Sequence, residues 1–212
     1  IRGFRDKYCR WKNYRVLDAL LNELAEKQMA DQKNSTETAA TTDDPREEEK
    51  DMKSGQNIIF YGVPGSGKSH AIDEKIKERG ITEPDNDDCV MRVVFHPDYT
   101  YSDFVGQILP ETKDGRLSYV FKPGPFTRIL KKAVKDSARP YFLVIEEINR
   151  GNAAAIFGDL FQLLDRKDDG ESVYAIDNAD IARVVHDDPE HKIRIPKNLS
   201  LLATMNTSDQ NV

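Results

Sequence analysis

Cysteine is almost absent: Cys9 and Cys89 are the two in 212 residues. That excludes a disulfide scaffold and leaves too few thiols for a cysteine zinc site. Long apolar runs are missing as well. Ile58-Ile59-Phe60-Tyr61 and Tyr141-Phe142-Leu143-Val144-Ile145 are typical of those present, far short of the about 20 residues a membrane-spanning helix needs. Apolar residues make up 38% and charged ones 32%, with a mean hydropathy of -0.65. This is wetter than an average domain, so part of the chain is expected outside any core. Excess positive charge is lacking too: Lys+Arg is 31, Asp+Glu is 37, and the net charge is -6. Nucleic-acid binding by bulk charge is thereby excluded, though a local basic patch is not. The sequence opens at Ile1 without an initiator Met or a leader-like segment and reads as a piece of a longer protein.

The polar excess is concentrated. Between Leu24 and Ile58 there is no Val, Ile, Leu, Phe, Trp or Tyr. Such a stretch cannot bury enough apolar area to offset the entropy of ordering it. Residues 28–54 therefore read as a flexible acidic linker rather than an arm for a basic partner. Ahead of it, Leu17, Leu20, Leu21 and Leu24 recur at helical spacing and predict an amphipathic helix over 11–26. Arg2, Arg5, Lys7, Arg10, Lys12 and Arg15 face a single acid, Asp6, near its start, with Phe4, Tyr8, Trp11 and Tyr14 interleaved. Residues 1–27 read as a basic helix closing an upstream domain, in preference to a nucleic-acid surface.

From residue 55 onward, apolar runs alternate with helix-like stretches. Strands are expected at Asn57–Tyr61, Val90–Phe95, Tyr141–Ile145 and Leu199–Thr204. Helices are expected over 68–79, Gly124–Ser137 and Ala153–Leu164. Strands separated by helices imply parallel crossovers and an α/β sheet covered on both faces. The polar stretch 165–198 interrupts this pattern; a hairpin through Ser172–Ile176 and Lys192–Ile195 is expected there, with Asp177–Asp188 as a solvated excursion.

Gly62-Val63-Pro64-Gly65-Ser66-Gly67-Lys68-Ser69 matches the phosphate-loop pattern G-x-x-x-x-G-K-[ST]. A chance match in a chain this long arises on the order of one time in a hundred. The context strengthens the match: an apolar strand precedes the loop and a helix-compatible stretch follows it. Glycines let successive backbone N–H groups turn toward phosphate oxygens with no Cβ in the way. The helix beginning near Lys68 adds the positive end of its dipole. Gly62, Pro64, Gly65, Ser66, Gly67, Lys68, Ser69 and His70 are thus the candidate nucleotide-binding residues, with the Lys68 amine for the β- and γ-phosphates and the Ser69 hydroxyl for Mg²⁺.

Such a loop needs acids at the tip of a neighbouring strand. Tyr141–Ile145 ends in Glu146-Glu147, at the end of a parallel strand where ligands bind. Glu146 is placed for the metal side. Glu147 is placed to orient or deprotonate water attacking the γ-phosphate. Leu199–Thr204 runs into Met205-Asn206-Thr207, where the Asn206 amide can hydrogen-bond both water and γ-phosphate.

These elements in this order resemble an AAA+ nucleotide hydrolase. Glu146-Glu147-Ile148-Asn149-Arg150-Gly151-Asn152, Phe157–Asp165, Phe95–Phe104 and Met205-Asn206-Thr207-Ser208-Asp209 resemble the McrB-like branch. That family is the GTP-driven motor of modified-cytosine-dependent restriction systems. The resemblance covers about 55–212. It implies a P-loop NTPase sheet flanked by helices, ended before the helical lid. It also implies GTP or ATP as substrate with Mg²⁺, a hexameric ring, a nuclease subunit and DNA as partners, no membrane, and a cytoplasmic location. Carried over residue by residue, Lys68, Glu147 and Asn206 are catalytic, Ser69 and Glu146 hold the metal, and Asn149 and Arg150 match the stretch after the acidic pair, with Arg150 at the subunit interface. The family's trans-acting arginine and lid lie beyond Val212, so weak binding and poor hydrolysis by this piece alone are expected.

One departure stands out. Glu146 occupies a position the family usually gives to Asp, and the extra methylene moves the carboxylate by about 1.5 Å, enough to disturb metal geometry. Two other functions remain open: a MoxR-like ATPase that remodels protein complexes, and a nucleotide-gated assembly module with little turnover. His96, His186 and His191 share no metal-ligand spacing. Cys89 is expected to pack. Tyr99 and Tyr101 either face a pore or pack around Phe104.

Overall fold

The computed structural model describes residues 54–207 together with the backbone of Tyr8–Arg10. Its strands are β1 (Tyr8–Arg10), β2 (Asn57–Gly62), β3 (Val90–Val94), β4 (Gly106–Lys113), β5 (Arg116–Pro123), β6 (Tyr141–Glu146) and β7 (Leu199–Asn206). The helices are α1 (Lys68–Lys77), α2 (Tyr101–Phe104), α3 (Pro125–Lys135), α4 (Ala153–Phe157) and α5 (Ala179–His186), with a 3-10 segment at Gly158–Leu164.

The main sheet runs β1-β2-β7-β6-β3. The β2, β7, β6 and β3 neighbours are parallel, as the alternation of strands and helices predicts. Strands β6 and β7 are buried along almost their whole length, which explains why each reads as a near-continuous apolar run. The segment 1–27 is expected as helix. Of it only Tyr8–Arg10 is described, and it is an edge strand antiparallel to β2, with Cys9 opposite Ile59. The backbone groups that β2 exposes at the sheet edge are satisfied by strand pairing, and three residues this far from the leucine repeat carry no helical pattern of their own. The leucine helix, the rest of 1–27 and the linker as far as Lys53 lie outside the described residues, as do Ser208 and Asp209.

Helix α3 buries Phe126, Ile129, Leu130 and Ala133, and starts with Pro125 at its first position, where a missing N–H costs nothing. The helix expected over Ala153–Leu164 divides. Asn152 caps its start, accepting from the Ala155 N–H at 3.1 Å. Gly158 then takes φ 52° and the chain tightens into 3-10 geometry through Leu164.

One further expectation is met in part and another fails. The segments expected to pair, Ser172–Ile176 and Lys192–Ile195, do meet antiparallel, but through an isolated bridge rather than a ladder: Ile176 and Ile193 exchange hydrogen bonds of 3.1 and 2.9 Å, and the Ser172 N–H donates to the Ile195 carbonyl at 3.0 Å. The stretch 177–188 is not a solvated excursion, since α5 buries Ile181, Ala182 and Val185. The Asn178 side chain caps α5 by accepting from the Ile181 N–H at 3.0 Å, and this capping side chain is the signal that the acidic composition masks. The true hairpin is β4–β5, turning at Asp114-Gly115 between the paired Lys113 and Arg116. Both turn residues have positive φ, 54° and 75°, and Asp-Gly is a two-residue hairpin signal that sequence reading passed over.

Candidate nucleotide-binding site

The site forms where β2, β6 and β7 end on the same side of the sheet. Register places Gly62 opposite Asn206, and Ile145 opposite Ala203. The acidic pair, the Asn206 strand tip and the glycine loop thus converge because parallel neighbours share their C-terminal edge.

The loop leaves β2 and wraps the start of α1. Gly65 and Gly67 have φ 73° and 80°, a region costly for any residue with a Cβ. Gly67 sits at the N-cap of α1 and accepts from the Ala71 N–H at 2.9 Å. The Lys68 ammonium folds over the loop and donates to the carbonyls of Gly62 (3.0 Å) and Val63 (2.9 Å).

The strand tips are cross-linked. The Ser69 hydroxyl donates to Glu146 Oε2 at 3.3 Å, and the Thr204 hydroxyl donates to the same oxygen at 2.6 Å. Thr204 Oγ1 also accepts from the Glu147 N–H at 2.9 Å. Glu147 takes φ 56°, a strained conformation for a side chain of this kind. Its carboxylate pairs with Arg150. Asn149 exchanges hydrogen bonds with the backbone of Asn206.

Together these residues line an open cleft of about 370 Å³ bounded by Pro64, Gly65, Ser66, Gly67, Lys68, Ser69, His70, Glu146, Glu147, Thr204 and Asn206. Gly62, Asn149 and Arg150 are not on the cleft wall; they touch it through Lys68, Asn206 and Glu147 respectively. Two members were missed from sequence. Thr204 is a buried hydroxyl that interrupts the apolar run from Leu201 to Met205 in β7. Arg92 is a lone cation in the middle of β3, and its Nη1 reaches Glu146 Oε1 at 3.3 Å. A polar residue interrupting a buried strand is a readable signal, because such groups persist only when partnered.

Tyr99 and Tyr101 pack rather than project. The Tyr99 ring stacks on Phe95 with centroids 5.1 Å apart, and the Tyr101 hydroxyl meets Asp159 Oδ1 at 3.3 Å. Cys89 is buried, and burial pushes its thiol up. Among the described residues no group of three or more His, Cys, Asp or Glu is arranged to hold a metal ion, and no helix is long and apolar enough to cross a membrane.

A family model for the AAA domain, dynein-related subfamily, matches residues 57–212. This chain belongs to that family. The type II restriction enzyme BsuMI component YdiS of Bacillus subtilis (strain 168) is 37% identical over 182 residues, covering 74% of this chain and 52% of that protein. The type IV methyl-directed restriction enzyme EcoKMcrB subunit of Escherichia coli (strain K12) is 27% identical over 165 residues, covering 74% of this chain and 32% of that protein. Within the family, the chain is a McrB-like AAA+ protein. The chain therefore spans about half the length of the first relative and a third of the second. As an AAA domain, it is a P-loop NTPase module related to restriction subunits.

Proposed function

We propose that this AAA domain binds a nucleoside triphosphate, GTP or ATP, with Mg²⁺ and hydrolyses it as the NTPase part of a restriction assembly. The observation that carries this reading is the meeting of the glycine loop, Ser69, Glu146, Glu147 and Asn206 in one cleft. Loop N–H groups and the Lys68 ammonium would hold the phosphates. The Ser69 hydroxyl and the Glu146 carboxylate are hard oxygen donors beside each other, a set that suits Mg²⁺ with phosphate oxygens and water completing it. The metal ion, when bound, would neutralise charge on the β- and γ-phosphates. Glu147 would accept the proton of the attacking water, and Asn206 would orient that water. Asn149 and Arg150 would work from behind, Arg150 at a contact with a neighbouring subunit. The reading extends to a ring of copies, a nuclease partner and DNA, in keeping with the likeness to restriction subunits.

A second reading has one observation in its favour. Arg150 occupies the Glu147 carboxylate, which suits a module that binds nucleotide and turns it over slowly until a partner draws Arg150 away.

Fluorescent GTP and ATP analogues, titrated with and without Mg²⁺, test binding. Phosphate release by the same chain and by Glu147→Gln tests hydrolysis. Mg²⁺-dependent binding that survives Glu147→Gln, with turnover that does not, is expected. Absence of binding to either nucleotide overturns the proposal, and strong turnover by the isolated monomer overturns the slow-module reading.

A further inference from the structure

Glu146 ends β6 on the wall of the cleft, where its carboxylate is bound from two sides. Arg92 lies on β3, two residues before Val94. Register sets Arg92 beside Val144 and Val94 beside Glu146. Since side chains alternate along a strand, Arg92 and Glu146 share one face of the sheet, offset by two residues. An arginine is long enough to close that gap, and its Nη1 reaches Glu146 Oε1 at 3.3 Å.

Arg92 has acids on two further sides. Asp73 of α1 pairs with its Nη2, and Asp85 Oδ1 lies 2.9 Å from its Nε. The guanidinium is thus spread over three carboxylates from three parts of the chain, with a planar fork that resists rotation. Glu146 is correspondingly divided between its two oxygens. Oε1 goes to Arg92, while Oε2 receives the Thr204 hydroxyl at 2.6 Å and the Ser69 hydroxyl at 3.3 Å. The oxygen left facing Ser69 is the one a cation at that hydroxyl would use.

We propose that Arg92 is a positioning residue that pulls back one oxygen of Glu146, so that the longer carboxylate presents its other oxygen to the Ser69 side of the cleft. The proposal rests on the Mg²⁺–nucleotide reading of the cleft. Glu146 and Arg92 then act as a matched pair: the two-methylene stem of the glutamate lets its carboxylate reach a cation two residues back on the neighbouring strand, which fixes it. An Asp at this position would fall short of Arg92 by one methylene and would not need it.

The test is a double-mutant cycle on the full chain, read as the Mg²⁺ concentration that half-saturates binding of a fluorescent nucleotide. Groups that orient a metal ligand change metal affinity by about 10–100-fold when removed. Arg92→Met should therefore raise the half-saturating Mg²⁺ by about tenfold or more in the Glu146 protein. In a Glu146→Asp background it should change it by less than about twofold. Arg92→Lys, which keeps a cation on the same stem, should recover part of the loss. Thermal melting without nucleotide guards against misfolding, and if Arg92→Met does not fold, Arg92→Lys and Arg92→Gln carry the same comparison. Equal effects of the Arg92 change in both backgrounds, or no change in the Glu146 protein, overturn the proposal. Failure of the unsubstituted chain to bind nucleotide overturns the underlying reading instead, so the two failures are told apart.

Discussion

Asn149 and Asn206 hold each other by two hydrogen bonds: Asn149 Nδ2 donates to the Asn206 carbonyl at 2.9 Å, and the Asn206 N–H donates to Asn149 Oδ1 at 3.2 Å. The amide of Asn149 thereby imitates a strand, continuing the pairing of β7 past the end of β6. Asn206 is buried, so its backbone N–H and C=O must find partners here or go without. Asn149→Ala should cost about 1–3 kcal/mol of stability, the range for stranding a buried polar group. Asn149→Asp keeps the acceptor but sets a carboxylate oxygen against the Asn206 carbonyl, so its loss should be at least as large. Urea unfolding of the three proteins checks the order.

Glu147 joins β6 to the following turn in a left-handed conformation. Glycine adopts it without strain, whereas another residue gives up of the order of 1–3 kcal/mol. Glu147→Gly should therefore raise stability by about 1 kcal/mol, because the half-exposed ion pair it loses with Arg150 is worth little. Hydrolysis should be abolished in the same variant. A melting midpoint that falls instead would show that the strain is offset by contacts of the side chain.

Thr204 serves two partners at once, donating to Glu146 and accepting from the Glu147 N–H. Thr204→Val conserves shape and removes both bonds, with an expected loss of about 1–3 kcal/mol. Thr204→Ser retains the hydroxyl and should lie close to the unsubstituted chain. Denaturant midpoints for the pair separate hydrogen bonding from packing.

Tyr101 gives the alkaline limb of stability. Burial, then the neighbouring Asp159 carboxylate, pushes its hydroxyl up to about 12, against about 10 in an unfolded chain. The folded state therefore holds this proton more tightly. The associated stability is fully present below about pH 10 and is lost as pH rises toward about 12. Tyr141, also pushed up to about 12 and mainly by burial, titrates in the same window. Melting temperature should fall through that range. Tyr101→Phe should flatten part of the fall, and the Tyr101→Phe, Tyr141→Phe double variant more of it.

What could be read in advance was whatever is written in contiguous residues. The glycine loop is one unbroken string whose chemistry depends on local backbone freedom, and the strands of the main sheet announce themselves because burial on both faces demands apolar runs. Helix α3 shows its buried face at regular spacing. By contrast, α5 is short, flanked by Asp177, Asp187 and Asp188, and capped by a single asparagine, so composition hid a helix that burial of Ile181 and Val185 makes plain. The β4–β5 hairpin is largely exposed, so no inward face marked its strands and only the Asp-Gly turn could have betrayed it.

By itself, then, the sequence determined the sheet's apolar strands, the phosphate loop and the candidate acids Glu146 and Glu147, since each is a local pattern with a local physical cause. Only the tertiary structure decided how those acids are held. Arg92, Thr204 and Asn149 act on residues more than 50 positions away, and the distance is closed by strand register and strand order. Pairing of β3 with β6 and of β6 with β7 brings an arginine, a hydroxyl and an amide within reach of the ends of β6 and β7, where a buried polar group requires a partner and finds one.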